Sequence, residues 1–557
     1  MKNAELKDIE IYGELAVRMI NNMNRLQGET YRPDEVFTAD AHDWPGDWEG
    51  RLILALSLYQ QATGCTLAYL DRIVEELPEH FNERGYMGRL LPEGHFAEQH
   101  MAGHSWLIRG LIEYYKLTNK PSAKKLAQQI VKNFLMPVKG SYSVYPLTLE
   151  ERENNVTNWV LSPKQSKVAS HADTSDAGCA FIMIDGATAA YEFFGGEELH
   201  DLIAEMIDRY SKLDFTGAHI QTHATLSGMR GTLRFYELTG EKKYLDLAER
   251  VFGLYKTEAW SEAYGNYNWF GIPSWTEPCA IIDSFIAAVW LWKNTGNQQY
   301  LIDAYKIYYN AVGHANRKSG AFGTDNCVGA EGAENPTCIV PCTYDVFWCC
   351  NMRGGECLTQ AARFGFFTEK NKIYNAFYQD SRVLLHLDAG NIVLETRSMY
   401  PYYGSADISV ASSDINENIE LYLFIPEEFS ENIKISVNGS EAEYGYEDGF
   451  ARIVFKPAAG DKIAVSFDLK LAAKDAVHKH TKKGYHKYFY GPLLLTYKKE
   501  AGSQDISLDK NIELEHIKYG RFKVKGSNIL LSSLFETRDM AEESSVRQVM
   551  FKEGAAE

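Results

Sequence analysis

Four times in its first 300 residues this chain runs a helical segment into a Thr-Gly or Thr-Asn step and then begins another helix. The steps are Thr63-Gly64, Thr118-Asn119, Thr239-Gly240 and Thr295-Gly296, with a degenerate copy at Phe193-Phe194-Gly195-Gly196. Gly or Asn there suits a helix C-terminus that closes on a left-handed residue. The segment after each step, such as Glu241–Phe252, has apolar residues at helical spacing and so one face to bury. Successive steps lie 55, 121 and 56 residues apart, and the degenerate copy falls inside the long gap. The repeat is therefore a helix pair with its loops, in the range of helical repeat architectures. A closed toroid of about six hairpins needs no end caps, unlike an open solenoid, and is the expected form.

After about residue 372 the pattern changes to alternation, as in Ala406–Val410, Ile419–Ile425 and Lys462–Phe467, with Asn438-Gly439 and Gly460-Asp461 as turns. Short alternating strands of this kind predict an antiparallel β-sandwich. The chain thus divides into residues 1–371, a helical catalytic domain, 372–500, a β-sandwich, and 501–557, an extension of extra strands and an acidic tail.

A chain of 557 residues is too long for one simple core. Its 57 Lys and Arg against 75 Asp and Glu give a net charge of −18, which repels polyanions and argues against nucleic acid as a partner. No apolar run reaches the length of a membrane span, and the first residues lack a signal peptide's apolar stretch, so a cytoplasmic protein is expected. A homodimer is compatible with the sequence. Aromatic residues make up 13% of the chain, enough to stack on sugar rings, although most aromatics fill cores.

The chemistry is expected at the cysteines. Cys349 and Cys350 are adjacent, which disfavours a disulfide between them, and Glu277-Pro278-Cys279 precedes them in the chain. Three thiolates and one carboxylate suit a tetrahedral zinc ion. Pro278 makes an extended geometry at Glu277 the expected one. Three readings stay open on this ground: a closed structural zinc site, cysteines as plain core residues, or a zinc-bound thiolate acting as nucleophile. Cys338 and Cys342 form a C-x3-C pair that bears on a second metal, and Cys65 and Cys179 read as buried residues. Glu262 stands beside an aromatic loop, Tyr264–Phe270, where desolvation would raise its pKa and suit a general acid. His104 and His223 fall near the starts of predicted inner helices, placed for sugar hydroxyls or for structural roles. Asp47 either orients a hydroxyl or caps the following helix.

These residues bear a likeness to a known family. Ala102-Gly103-His104, Ser261-Glu262-Ala263-Tyr264, Thr276-Glu277-Pro278-Cys279-Ala280 and Cys349-Cys350 resemble, in order, four segments of glycoside hydrolase family 127, the β-L-arabinofuranosidases. Tyr400-Pro401, Phe424-Ile425-Pro426, Val437-Asn438-Gly439 and Tyr490-Gly491-Pro492-Leu493 extend the likeness through the strand-rich part, over roughly residues 45 to 500. The resemblance implies an (α/α)6 barrel followed by an antiparallel β-sandwich. It implies Zn2+ held by Glu277, Cys279, Cys349 and Cys350, with Cys349 as nucleophile and Glu262 as acid/base. His104, His223 and Asp47 would then face the substrate, a small oligosaccharide or glycoside. The chain departs from the family at Asn351-Met352-Arg353 after the cysteine pair, at Asp185-Gly186-Ala187, and at Leu423 ahead of Phe424-Ile425-Pro426. Losing a subsite histidine changes which hydroxyls are read. Two other classes remain: a sugar epimerase or isomerase using His104 and His223, and a non-catalytic, zinc-stapled carbohydrate-binding protein.

Overall fold

The computed structural model describes the chain apart from residues 40–43, 165–174, 331–335, 344–345, 347, 478–483, 538–544 and 555–557. Among the described residues, twelve of the helices in the first part build a barrel. They are α1 (Gly13–Arg25), α2 (Asp47–Thr63), α3 (Leu70–Glu76), α4 (Glu98–Thr118), α5 (Pro121–Ile130), α6 (Met183–Phe194), α7 (Glu197–Tyr210), α8 (Thr222–Thr239), α9 (Lys242–Glu258), α10 (Pro278–Thr295), α11 (Gln298–Lys306) and α12 (Cys349–Arg363). The even-numbered helices pack in a ring, α2 on α4, α4 on α6, and so on to α12, which returns to α2. Each odd-numbered helix lies outside against an inner one, with α1 beside α12. This is the expected (α/α)6 barrel.

The recurring step does what its chemistry predicts. Gly64, Asn119, Gly195, Gly240 and Gly296 end five inner helices at φ of 68°, 55°, 69°, 71° and 72°. The threonine before four of them serves twice. Its hydroxyl donates to the carbonyl four residues back, at 2.7 to 2.9 Å, and accepts the N–H two residues on, at 3.1 to 3.3 Å. One side chain thus braces the last turn and satisfies the first N–H past the helix end. The sixth inner helix closes on Phe364 in a right-handed conformation and carries no such step.

Glycines let the inner helices approach closely. A Cβ on Gly50 of α2 would lie 2.2 Å from the Leu107 nitrogen of α4, and one on Gly231 of α8 would lie 2.4 Å from the Asp185 nitrogen of α6. Neither position admits a larger residue without moving a backbone.

The strands form three main sheets. Five strands from Ser381–Leu387 to Lys462–Leu469, joined by Ile9–Ile11 and Ser440–Glu441, make one face of the sandwich. The facing sheet runs Lys2–Asn3, Phe366–Glu369, Lys372–Asn375, Ile419–Phe424, Phe450–Phe455, Gly445–Glu447, with a single parallel pair between Lys372–Asn375 and Ile419–Phe424. Burial alternates strictly along Lys462–Phe467, as the sequence pattern requires. Trp292 of α10 joins barrel to sandwich, stacked on Phe450 and edge-on to Phe367. A third sheet gathers the C-terminal strands, and two strands from the barrel, Thr324–Asn326 and Cys338–Thr343, join it. The segment leading into Cys349 is therefore tied to the end of the chain. Among the described residues no helix is long and apolar enough to cross a membrane.

Candidate active site

The first turns of the inner helices converge on one mouth of the barrel. Asp47 opens α2, His223 is the second residue of α8, Glu277 caps α10, and Cys349 and Cys350 open α12. Glu277 is extended, at φ −111° and ψ 113°, and Pro278 takes the first helical position, where its missing N–H costs nothing. These side chains meet at a cavity of about 310 Å³. Trp44, Trp48, Trp275 and Trp348 line it together with Asp47, Arg51, His223, Glu277, Cys349 and Cys350. Aromatic walls with a few convergent polar groups suit a small polar ligand such as a sugar ring.

Cys279 lies beneath, buried, with its Sγ 3.7 Å from that of Cys349 and 3.8 Å from that of Cys350. These separations far exceed a bonded sulfur pair, and none of the nine cysteines is in a disulfide. Thiol donation from Cys279 and Cys350 holds Cys349 well below the ordinary thiol range, against its burial, and the Arg51 guanidinium adds to the effect. Burial pushes Cys279 and Cys350 well up. Burial also drives Glu277 well above the carboxylate range, and its Oε2 has no hydrogen-bond partner. Asp47 is pushed up to about 6, by burial more than its Arg51 partner pulls it down. A buried carboxylate oxygen without a partner beside three clustered sulfurs fits a soft divalent cation in the vicinity of Cys279.

Arg51 and Asp283 were not singled out by the sequence reading, and they organise the site. Arg51 donates through Nε to Asp47 Oδ1 at 2.8 Å, approaches Cys279 Sγ at 3.7 Å and His223 Nε2 at 3.3 Å, and stacks on Trp106 at 4.1 Å. Asp283 accepts from His223 Nδ1 at 2.8 Å and from Ser227 at 2.7 Å on one oxygen, and from Arg230 at 2.7 Å and Arg353 on the other. Burial holds His223 below its usual value against the pull of Asp283, so the ring is neutral, with Nδ1–H donating and the Nε2 lone pair free to accept. Asp185 sits deeper and pairs with Arg109, Arg230 and Arg234. The signal for this network was a charge set inside an apolar run, as in Ala280-Ile281-Ile282-Asp283.

Two expected residues lie off the cavity wall. His104 donates its Nδ1–H to the His100 carbonyl, 2.8 Å away, stacks on Phe134 at 3.9 Å, and is pushed down to about 3 by burial. Glu262 is buried in the loop between α9 and α10, where the Tyr267 hydroxyl donates to its Oε2 at 3.1 Å and Lys487 holds its backbone carbonyl at 2.8 Å. Asn268, which follows Tyr267 in that loop, lines the cavity. Among the described residues, Cys338 and Cys342 join no cluster of metal-ligating side chains. Cys179 is buried, but Cys65, read as buried, is exposed: it follows the Gly64 cap and has already left the helix.

Residues 372–469 match the family model described as beta-L-arabinofuranosidase, GH127 middle domain. The glycoside hydrolase class expected from the motifs stands on that match. The GH127 fold extends through the whole chain. A solved GH127 β-arabinofuranosidase superposes with a TM-score of 0.73 at 14% identity, over 99% of this chain and 98% of that one. A protein described as a glycoside hydrolase gives 0.72 at 14%, over 99% and 97%. A GH127 β-L-arabinofuranosidase from Geobacillus stearothermophilus T6 gives 0.65 at 11%, over 97% and 94%. No curated protein matches the sequence.

Proposed function

We propose that the chain is a retaining glycoside hydrolase that removes a terminal β-L-arabinofuranosyl group, or a sugar of similar shape, from a small oligosaccharide or glycoside in the cytoplasm. The observation that carries this reading is the Cys349 thiol at the wall of a tryptophan-lined cavity of about 310 Å³, its sulfur 3.7 Å from that of Cys279. Glu277, Cys279, Cys349 and Cys350 would hold zinc, which supplies stabilisation of the thiolate in the forward and return directions. The sulfur of Cys349 attacks the anomeric carbon as the glycosidic C–O bond breaks, and Glu262 gives its proton to the leaving oxygen. Glu262 then takes a proton from water, which attacks the same carbon and frees the sulfur, so two inversions give net retention. Asp47 and Arg51 border the space where the sugar ring would lie, and the tryptophans shed water from its faces. The epimerase alternative needed His104 and His223 at one site, and only His223 lines the cavity.

The test is hydrolysis of 4-nitrophenyl β-L-arabinofuranoside followed by proton NMR. The expected first product is the β-anomer of free arabinose. Release of the α-anomer, or a single isomerised sugar, contradicts the mechanism.

A further inference from the structure

We propose that a second cavity at the barrel mouth, walled by Tyr86, Phe96, His100 and Phe134, binds the sugar that follows the cleaved one, so that the enzyme reads its leaving group. The proposal rests on the glycosidase reading above and extends it to substrates of two or more sugars. This cavity has a volume of about 370 Å³, against about 310 Å³ for the one at the cysteines. His100 is the third residue of α4, so the cavity lies at the end of the barrel where the inner helices begin. A Cβ on Gly88 would stand 2.6 Å from Pro45 and 3.3 Å from His100 Cε1, so Pro45 and His100 close on one point. Trp44 and Asp47, on either side of Pro45, line the cavity of the cysteines. The Trp44–Asp47 turn is thus a wall shared by the two.

Two buried side chains there have polar atoms to spare. His100 is 3% exposed and Tyr86 8%, both line the cavity, and among the described residues neither the imidazole nor the hydroxyl has a hydrogen-bond partner. Burial pushes His100 down to about 4, with Arg89 adding to the effect, so the ring is neutral and offers one donor and one acceptor. The Tyr86 hydroxyl offers the same pair, which matches sugar hydroxyls. Phe96, Phe134 and the Tyr86 ring supply apolar faces, with the Tyr86 and Phe134 centroids 5.1 Å apart. His104 braces this floor: it stacks on Phe134 at 3.9 Å, meets Tyr86 edge-on at 5.8 Å and donates to the His100 carbonyl. Arg84 and Glu93, the charged residues of the lining, are opposite in sign and favour no anion over a neutral ligand.

An aryl glycoside occupies the cavity of the cysteines alone. A glycoside of two or three sugars carries a further ring past the Trp44–Asp47 turn to Tyr86 and His100. Contacts made by that remote ring help to hold the scissile bond against Cys349.

The test compares kcat/KM for 4-nitrophenyl β-L-arabinofuranoside with that for oligosaccharides of two and three sugars ending in β-L-arabinofuranose. Wild type, Tyr86→Phe and His100→Phe are measured side by side. Tyr86→Phe deletes a single oxygen atom, and His100→Phe keeps a ring. Each variant should lose about five-fold on the oligosaccharides beyond any loss on the nitrophenyl glycoside, and the double variant about twenty-fold, with the change in KM. An equal loss on both kinds of substrate in Tyr86→Phe, or no loss on either oligosaccharide, overturns the proposal and leaves the glycosidase reading standing. Failure of the wild type to cleave any of the three sinks that reading as well.

Discussion

Replacing Asp283 with Asn tests the network that underlies the site. Asn keeps the volume and removes the charge. Asp283 is fully buried and receives Arg230, Arg353, His223 and Ser227. Breaking a buried ion pair from one side costs about 3 to 5 kcal/mol, because the cations left behind are desolvated and unpaired. The barrel, Gly13–Arg363, has roughly 350 residues, and at about 2.1 cal/mol/K per residue its unfolding entropy is about 0.7 kcal/mol/K. A loss of about 4 kcal/mol therefore lowers Tm by about 5 to 6 °C. Ser227→Ala removes one neutral hydrogen bond, worth about 1 kcal/mol, and should cost about 1 to 2 °C. Scanning calorimetry at pH 7 compares the two. The gap also has a predicted pH course. Burial pushes the Asp283 carboxyl up, but Arg353 and Arg230 outweigh it and hold the group well below the carboxylate range. A depressed folded pKa contributes stability above the unfolded value of about 3.9 and loses it as pH falls further. The difference between wild type and Asp283→Asn should thus be flat from pH 7 to 5 and close only below about 4. An Asp283→Asn loss no larger than that of Ser227→Ala, or a gap closing between pH 7 and 5, refutes this account of the network.

Cys349→Ser should lower turnover of aryl arabinofuranosides by at least about 10⁴-fold, since a serine hydroxyl in that position is scarcely ionised, with the circular dichroism unchanged. Near-normal cleavage would exclude Cys349 as nucleophile. Glu262→Gln should slow substrates with poor leaving groups far more than nitrophenyl glycosides, and an equal fall across a leaving-group series removes Glu262 from the acid role. Glu49 is buried in α2 with Oε2 unpartnered, and burial pushes it up to about 8. Its folded pKa is raised, so the stability it confers is complete below the unfolded value of about 4.3 and is lost as pH rises through about 8. Glu49→Gln should match wild type at pH 5 and exceed its Tm by about 4 °C at pH 9, from a relief of a few kcal/mol; equal curves at pH 9 would contradict the burial argument.

Much of this architecture is legible in the sequence because each repeat carries its own punctuation. Thr63-Gly64, Thr118-Asn119, Thr239-Gly240 and Thr295-Gly296 mark four inner helices through one local hydrogen-bond pattern. The sixth inner helix has no such mark, and only its cysteines announce it. The third sheet is illegible for a different reason: Cys338–Thr343 pairs with Ser545–Gln548, some two hundred residues later, and no local signal fixes a pairing of that range. The cysteine set was readable because adjacent thiols have few uses. Arg51 and Asp283 were not, because a lone charge in an apolar helix looks the same whether it supports a site or simply finds a partner.

The contrast between His104 and His223 shows what decides membership of the site. Both were placed near a helix start, but α4 begins at Glu98, six residues before His104, whereas α8 begins at Thr222, one residue before His223. At a rise of about 1.5 Å per residue His104 lies some 9 Å down its helix, and its ring turns outward against Phe134, just beyond α5. Asp47, His223, Glu277, Cys279, Cys349 and Cys350 all sit within one turn of a helix N-terminus. A ring of six inner helices directs several of these positive ends at one mouth, where they offset part of the burial that pushes Glu277, Cys279 and Cys350 toward their protonated forms. The barrel's handiwork is thus electrostatic as well as geometric: a functional residue on an inner helix belongs in the first turn, and a polar residue two turns in belongs to the buried network that holds the ring together.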